Sequence, residues 1–231
     1  AGIIARELGL PLTEIAGPSI RKQDDLVEPL TTARGVVFID EVHRLTSPVQ
    51  EVLFPALEDG KVAYRTGRDI LMLGLQPGLI ILAATTNPGS LLKPLLDRFV
   101  LQLRFQSYKK SEISELVSKA ADRGKVPIDD EALEVIANRS RRNPRQSNHI
   151  LVIASLLLPK ESEVITGSHI EMTLEHLGVD GQGLTVDDHR LLVCLATTFK
   201  GEPVGLNVLA LAARLEVEYV MSQVEPYLLD L

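Results

Sequence analysis

The chain has 231 residues, 45% of them apolar, enough for one large core or two to three smaller ones. A formal net charge of −7 argues against a generic nucleic-acid coat and leaves local basic surfaces open. The longest apolar runs, Leu79 to Ala84 and Ile150 to Pro159, fall well short of the ~20 residues that span a bilayer, so no membrane segment is expected. The start, AGIIARELGL, lacks a basic region followed by an apolar block, and no secretory signal is expected from it. The single cysteine, Cys194, has no internal disulfide partner and lies in an apolar helical pattern, which fits a core position in a reducing, cytoplasmic setting.

In chain order, AGIIARELGLPL has helical spacing that stops at Gly9 and Pro11, and TEIAGPSI reads as a short strand and turn. KQDDLVEPLTTA follows as a helix with Asp24 and Asp25 near its start. Val36 to Ile39 is an apolar run without polar alternation, the pattern of a parallel strand buried on both faces. HRLTSPVQEVLFPALEDG predicts one helix with Ser47 as N-cap, Pro48 at its first position and Gly60 beyond its end. KVAYRTGRDILMLGL predicts two short strands around a turn at Thr66-Gly67, and GLIILAATTNPG a second buried strand ending in polar residues. Alternation of strands and helices up to about residue 108 indicates a parallel α/β sheet.

From there the pattern is helical only. KSEISELVSKAADRG, DDEALEVIANRSR, PRQSNHILVIASLLL and TGSHIEMTLEHLGV carry apolar residues at three and four spacing. Gly178 to Leu184 holds three glycines in seven residues and is the linker candidate. Three short helices then follow, in TVDDHRLLVCLATTF, GLNVLALAARL and EVEYVMSQVEPYLLDL, which suggests a helix-turn-helix or winged-helix module with its third helix in the recognition position. NRSRRNPR, Asn138 to Arg145, places four arginines in eight residues beside a helix start. Phosphate binding and a solvated surface face both account for such a cluster.

The chemistry concentrates at the strand ends. Asp40 and Glu41 follow the buried run directly, at the end of the sheet where open α/β folds bind ligands. In a nucleotide-hydrolysing sheet an Asp there holds Mg²⁺ and the next Glu polarises the attacking water. An acidic first helical turn, favoured by the helix dipole, is the competing explanation. Thr85, Thr86 and Asn87 end the second strand and can bond the same phosphate or water, while Arg98 is placed to reach a neighbouring subunit's phosphate.

Taken together, GPSIRKQDDLVEPL, FIDEVHRL, EVLFPALEDG, AATT, PLLDRF, RSRRNPRQSN, GVDGQGL and GEPVGLNVLA…VEPYLLDL resemble, in that order, the RuvB family of bacterial Holliday-junction branch-migration ATPases of the AAA+ class. The resemblance covers nearly the whole chain. It implies an α/β fold: an incomplete AAA+ parallel-sheet ATPase core over residues 1–108, a helical lid over 109–183 and a winged-helix-type DNA-binding domain over 184–231. It also implies ATP and Mg²⁺ as cofactors, Asp40 as the metal-facing and Glu41 as the water-facing member of the Walker B pair, and Thr86 as first sensor with Asn87 as a substitute. Arg98 becomes the arginine finger and Arg145 the second sensor, with Pro144 and Tyr108 near the adenine. The implied partners are a four-way DNA junction with duplex arms, RuvA, a RuvC-type resolvase complex and further copies of the chain in a hexameric ring.

The sequence departs from that pattern in places. No G-x-x-x-x-G-K-[ST] occurs in it; in the family that loop ends a few residues before the segment matching AGIIARELGL. The expectation is a fragment that starts inside its first nucleotide-binding helix, stops before its β-wing and binds ATP poorly alone. Leu96 stands where the family usually has a further Arg, and the hairpin region Gly60 to Leu79, where the family meets RuvA, is shorter and differently composed. Lys61, Arg65 and Arg68 there suit either an acidic or DNA surface or simple solvation. Two other functions also fit these residues: a different AAA+ remodelling ATPase, or a non-hydrolysing DNA-binding or scaffold protein.

Overall fold

The computed structural model describes residues 1–66, 69–159 and 163–231. Gly67 of the predicted turn and the flanking Arg68 lie outside the described residues, as do the side chains of Arg65 and Thr66. The chain forms two compact units, residues 1–104 and 105–231. Among the described residues no helix is long and apolar enough to cross a membrane.

The first unit is built on a parallel sheet of β1 (Leu12–Ala16), β2 (Val36–Asp40) and β5 (Ile80–Ala83), ordered β1-β2-β5. Leu12 pairs with Val36 and Val36 with Ile80, so the strands run in register to Ala16, Asp40 and Ala83. The apolar run explains the central position of β2: Val36, Val37 and Ile39 have no exposed surface. The apolar run of β5 predicts a second buried strand, and the structure corrects this: all four β5 residues are only half-buried. Among the described residues β5 pairs with β2 alone.

Helices α1 (Gly2–Glu7), α2 (Gln23–Thr32), α3 (Ser47–Gln50), α4 (Leu53–Glu58) and α5 (Lys93–Arg98) complete this unit. Its core joins Leu26 and Leu30 of α2 to Ile39, Leu53 and Leu95, all fully buried, each contributing roughly 1.5–3 kcal/mol. α2 starts where Asp25 Oδ2 accepts the Arg21 and Lys22 amides at 3.0 and 3.1 Å, and those bonds hold the Asp25 carboxyl below its ordinary pKa. The single helix predicted over Ser47 to Glu58 is two. Pro55 has no N–H and its ring crowds the carbonyl of Glu51, so the chain tightens there and Phe54 N bonds Glu51 O one residue short of the helical spacing. The N-cap is Thr46, with Ser47 already the first helical residue. Gly60 ends α4 with φ +64, a conformation glycine adopts without strain. β3 (Lys61–Thr66) and β4 (Asp69–Gly74) then form an antiparallel hairpin, Val62 opposite Leu73.

The second unit contains two apolar cores. Helices α6 (Lys110–Gly124), α7 (Asp130–Arg139), α8 (Pro144–Leu157) and α9 (Gly167–His176) pack Ile113, Val117, Ile136, Ala154, Ile170 and Leu174 together. Three of these helices start at a capping side chain: Asp129, Asn143 and Thr166 accept backbone amides. The other core joins Leu191 and Cys194 of α10 (Val186–Thr197), Leu209 of α11 (Leu206–Ala212), and Val220 and Val224. The last two lie on a helix running through α12 (Val217–Tyr219), a π turn over Val220–Val224 and α13 (Glu225–Asp230). Pro226 accounts for the π turn, because its ring would meet the carbonyl of residue 222 in a regular helix.

Half of the arginine cluster serves this architecture. Arg139 Nη1 donates to Asp180 O at 2.8 Å and its Nη2 pairs with Glu171 at 2.9 Å. Arg141, 8% exposed, pairs with the fully buried Asp188 of α10, donates to Gly183 O at 3.2 Å and lies 4.5 Å above the Tyr227 ring. Burial pushes the Tyr227 phenol up, and the Arg141 charge only partly offsets this. The linker is tied as well. Burial raises the Asp180 carboxyl, but amide bonds from Leu184 and Gln182 and the nearby His189 outweigh it and leave the group below its usual range. Arg142 and Arg145 make no ion pair with the described residues.

Candidate active site at the strand ends

The parallel register brings the carboxyl ends of β1, β2 and β5 side by side, with Ala16 against Asp40 and Ile39 against Ala83. Two further bonds extend the ladder: Ala84 N donates to Ile39 O and Val42 N to Ala84 O, both at 2.9 Å. The chain after β2 must therefore turn sharply, and Glu41 takes the left-handed conformation, φ 51° and ψ 47°. A non-glycine residue there stores of order 1–3 kcal/mol of strain. The turn also approaches the Gly-Pro-Ser segment closely. A Cβ on Gly17 would lie 2.4 Å from Glu41 O and 2.9 Å from Asp40 O, so only glycine fits.

The side chains at these ends form a small polar cluster. The Asp40 carboxylate is at the surface, and its Oδ1 accepts the Glu41 amide at 3.1 Å. Glu41 Oε2 accepts the Thr86 hydroxyl at 3.2 Å and lies 3.0 Å from His43 Nδ1. The same His43 nitrogen is 3.1 Å from Thr85 Oγ1, which accepts the Asn87 amide at 3.0 Å. Asp40, Glu41 and Thr86, singled out from the sequence, are thus neighbours. Asn87 contributes its backbone. His43 and Gly17 escaped notice as site residues, although a histidine two residues past an acidic pair and a glycine before Pro-Ser were there to be asked about.

Arg98, the last residue of α5, is engaged with its own chain. Its Nε and Nη2 both reach Glu58 Oε2 at 2.9 Å, Nη1 donates to Pro94 O at 2.9 Å, and the guanidinium lies 4.8 Å above the Phe54 ring.

The other candidates belong to residues 105–231. Pro144 is the first residue of α8, where its missing N–H costs nothing. Asn143 Oδ1 accepts the Arg145 amide at 2.9 Å, which directs the start of that helix and leaves the Arg145 side chain exposed. Tyr108 precedes α6 and is 44% exposed.

Comparison with known proteins gives this arrangement a family. Residues 1–105 match the Holliday junction DNA helicase RuvB P-loop domain, and residues 181–231 match the RuvB C-terminal winged helix domain. The Holliday junction branch migration complex subunit RuvB of Staphylococcus saprophyticus is 35% identical across 100% of this chain and 71% of its own length. The protein of the same name from an Anaeromyxobacter species is 37% identical over 99% and 68%. The solved structure of the Thermotoga maritima RuvB Holliday junction branch migration motor superposes with a TM-score of 0.86 at 35% identity, covering 99% of this chain and 74% of that one. NtrX from Brucella abortus, crystallised with ADP, matches at a TM-score of 0.56 and 14% identity over 97% and 60% of the two chains, a likeness of fold alone. Sequence and structure agree across nearly the entire chain: it belongs to the RuvB family, whose members are AAA+ ATPases.

Proposed function

We propose that the chain is the body of an ATP-driven DNA motor that moves four-way junctions during recombination and repair in the cytoplasm. The observation that carries this reading is the cluster at the strand ends, where Glu41 is held by Thr86 immediately beside Asp40. Asp40 offers the hard carboxylate oxygens that Mg²⁺ takes, and Mg²⁺ with a single protein carboxylate completes its shell from phosphate oxygens and water. When bound, that ion neutralises charge on the transferred phosphoryl group. Glu41 accepts the proton of the attacking water. The water oxygen bonds to the γ-phosphorus, and the bond from that phosphorus to the β–γ bridging oxygen breaks. Thr86 orients Glu41 and senses the γ-phosphate.

The remaining roles extend the reading. Arg98 acts on a neighbouring subunit's phosphate within a hexameric ring, and Arg145, with Pro144 and Tyr108, contacts nucleotide from the lid. The C-terminal three-helix module meets duplex arms. A RuvA protein, and with it a RuvC-type resolvase complex, completes the machinery.

The hairpin supports the partner role. Tyr64 and Leu71 form a cross-strand pair on one face, 36% and 51% exposed, while Ile70 and Met72 on the other face are 61% and 54% exposed. Apolar residues left open on both faces of a hairpin mark a docking element. Ile70→Glu and Leu71→Glu are expected to shift stability by no more than about 0.5 kcal/mol, as exposed sites do. Each weakens binding to RuvA at least about tenfold, read by titration calorimetry. Unchanged affinity for both variants rules the hairpin out.

The central test is Glu41→Gln in the protein as encoded by its complete gene. Removing a positioned base lowers turnover by about 10²–10⁴-fold. Nucleotide affinity, measured with a fluorescent ATP analogue, stays within about threefold, because the substituted group acts only in the transition state. Turnover that survives the substitution defeats the motor reading.

A further inference from the structure

His43 occupies the 3₁₀ turn Val42–Arg44 that follows β2, and its side chain is 12% exposed. Its Nδ1 faces two oxygens, Glu41 Oε2 at 3.0 Å and Thr85 Oγ1 at 3.1 Å. The first of these decides the tautomer. An ionised carboxylate only accepts hydrogen bonds, so a nitrogen at 3.0 Å from it must carry a proton. The proton of a neutral His43 therefore sits on Nδ1. Thr85 Oγ1 is a second acceptor for that N–H, and is itself anchored by the Asn87 amide at 3.0 Å.

Glu41 Oε2 thus takes donors from both sides, His43 from the turn after β2 and the Thr86 hydroxyl, at 3.2 Å, from the segment after β5. The backbone does not hold this carboxylate otherwise. Glu41 is a left-handed residue at the start of a three-residue turn, its side chain 38% exposed. A long, flexible side chain in such a place keeps one orientation only if its head group is tethered.

We propose that His43 is a positioning residue: its Nδ1–H fixes the orientation of the Glu41 carboxylate and ties it, through Thr85, to the end of β5. The inference rests on the proposed role of Glu41 in hydrolysis, but the tether itself is a property of the chain without nucleotide. A movement of the Thr85–Asn87 segment is therefore passed to Glu41 by two routes, the His43 imidazole nitrogen and the Thr86 hydroxyl.

Two measurements test it. The first is ¹⁵N-detected NMR of the histidine rings in the 231-residue chain without ligand, at neutral pH. Neutral His43 is expected as the Nδ1–H form, which reverts towards the ordinary Nε2–H form in Glu41→Ala while the backbone amide spectrum keeps its dispersion. An Nε2–H His43, or a tautomer indifferent to Glu41, overturns the tether. The second is steady-state ATP hydrolysis by the complete gene product. His43→Leu lowers kcat by about 10–100-fold, with KM within about twofold because no binding group is touched. His43→Asn sets an amide donor near the Nδ1 position and recovers most of kcat. Asn no better than Leu, or a loss confined to KM, overturns the positioning role. Turnover that survives Glu41→Gln defeats the catalytic reading of Glu41, and positioning with it, while the NMR result still decides whether the tether exists.

Discussion

Arg98→Ala is expected to lower ATP turnover by about 10³–10⁵-fold, the usual contribution of an arginine finger, with little change in stability. The contact with Glu58 is what makes this informative. Arg98 holds Glu58 through two nitrogens at 2.9 Å and covers Phe54. Yet Glu58 is 60% and Arg98 30% exposed, and exposed pairs of that kind are worth about 0–1 kcal/mol. Exchanging Glu58 for a phosphate on a neighbouring subunit therefore costs little. A merely structural Arg98 would show the opposite pattern, a modest fall in melting temperature and nearly full turnover. Mixing separates the alternatives further. Combined with Glu41→Gln subunits, Arg98→Ala subunits place an intact base beside an intact finger at about a quarter of the interfaces of a randomly assembled ring, and turnover recovers towards that fraction. No recovery means that the arginine acts within its own subunit.

Much of this site could be read from the order of residues because its signals are local. Four apolar residues without alternation followed by Asp40 and Glu41 describe β2 and its end completely, and β2 is central and buried. Burial of β5 is not legible for the opposite reason. LIILAA is as apolar as the β2 run, but whether a strand has neighbours on both flanks depends on sheet order, which the strand itself does not encode. His43 is legible only in part: Glu41 lies two residues before it, but its other partner, Thr85, is 42 residues away and no fixed spacing joins them. The arginine cluster shows the same limit. A run of arginines invites phosphate binding or a solvated surface face, yet Arg141 is drawn into the protein by Asp188, 47 residues downstream. The T-x-x-D spacing of Thr185 and Asp188 announces a helix cap, and nothing in it announces the arginine. Pro55 is visible, but a proline with flanking helix formers can either kink a helix or divide it, and the Phe54 N to Glu51 O bond shows the division.

The larger stability effect is expected at that buried pair. Arg141→Ala leaves Asp188, with no exposed surface, as an uncompensated charge, a change that costs about 3–5 kcal/mol. Asp188 Oδ2 also accepts the Thr185 amide and hydroxyl at 2.5 and 2.6 Å, so the carboxylate caps α10 and meets the arginine with one oxygen. Its other oxygen, Oδ1, has no hydrogen-bond partner among the described residues, and neither does Ser140 Oγ, next to Arg141 in sequence. The network is therefore incompletely satisfied and adds less to net stability than its burial suggests. Two outcomes follow, both read by urea unfolding of the chain. Arg141→Ala and Arg141→Lys each lower the midpoint strongly, since lysine cannot reach Asp188, Gly183 O and the Tyr227 face together. The double change Arg141→Met with Asp188→Leu recovers most of the loss, because it removes the stranded charge together with its partner. Recovery in the double variant identifies desolvation of Asp188 as the cause. Without recovery, the α10 cap that Asp188→Leu removes and the lost Gly183 contact, which connects the linker to the last core, outweigh that desolvation.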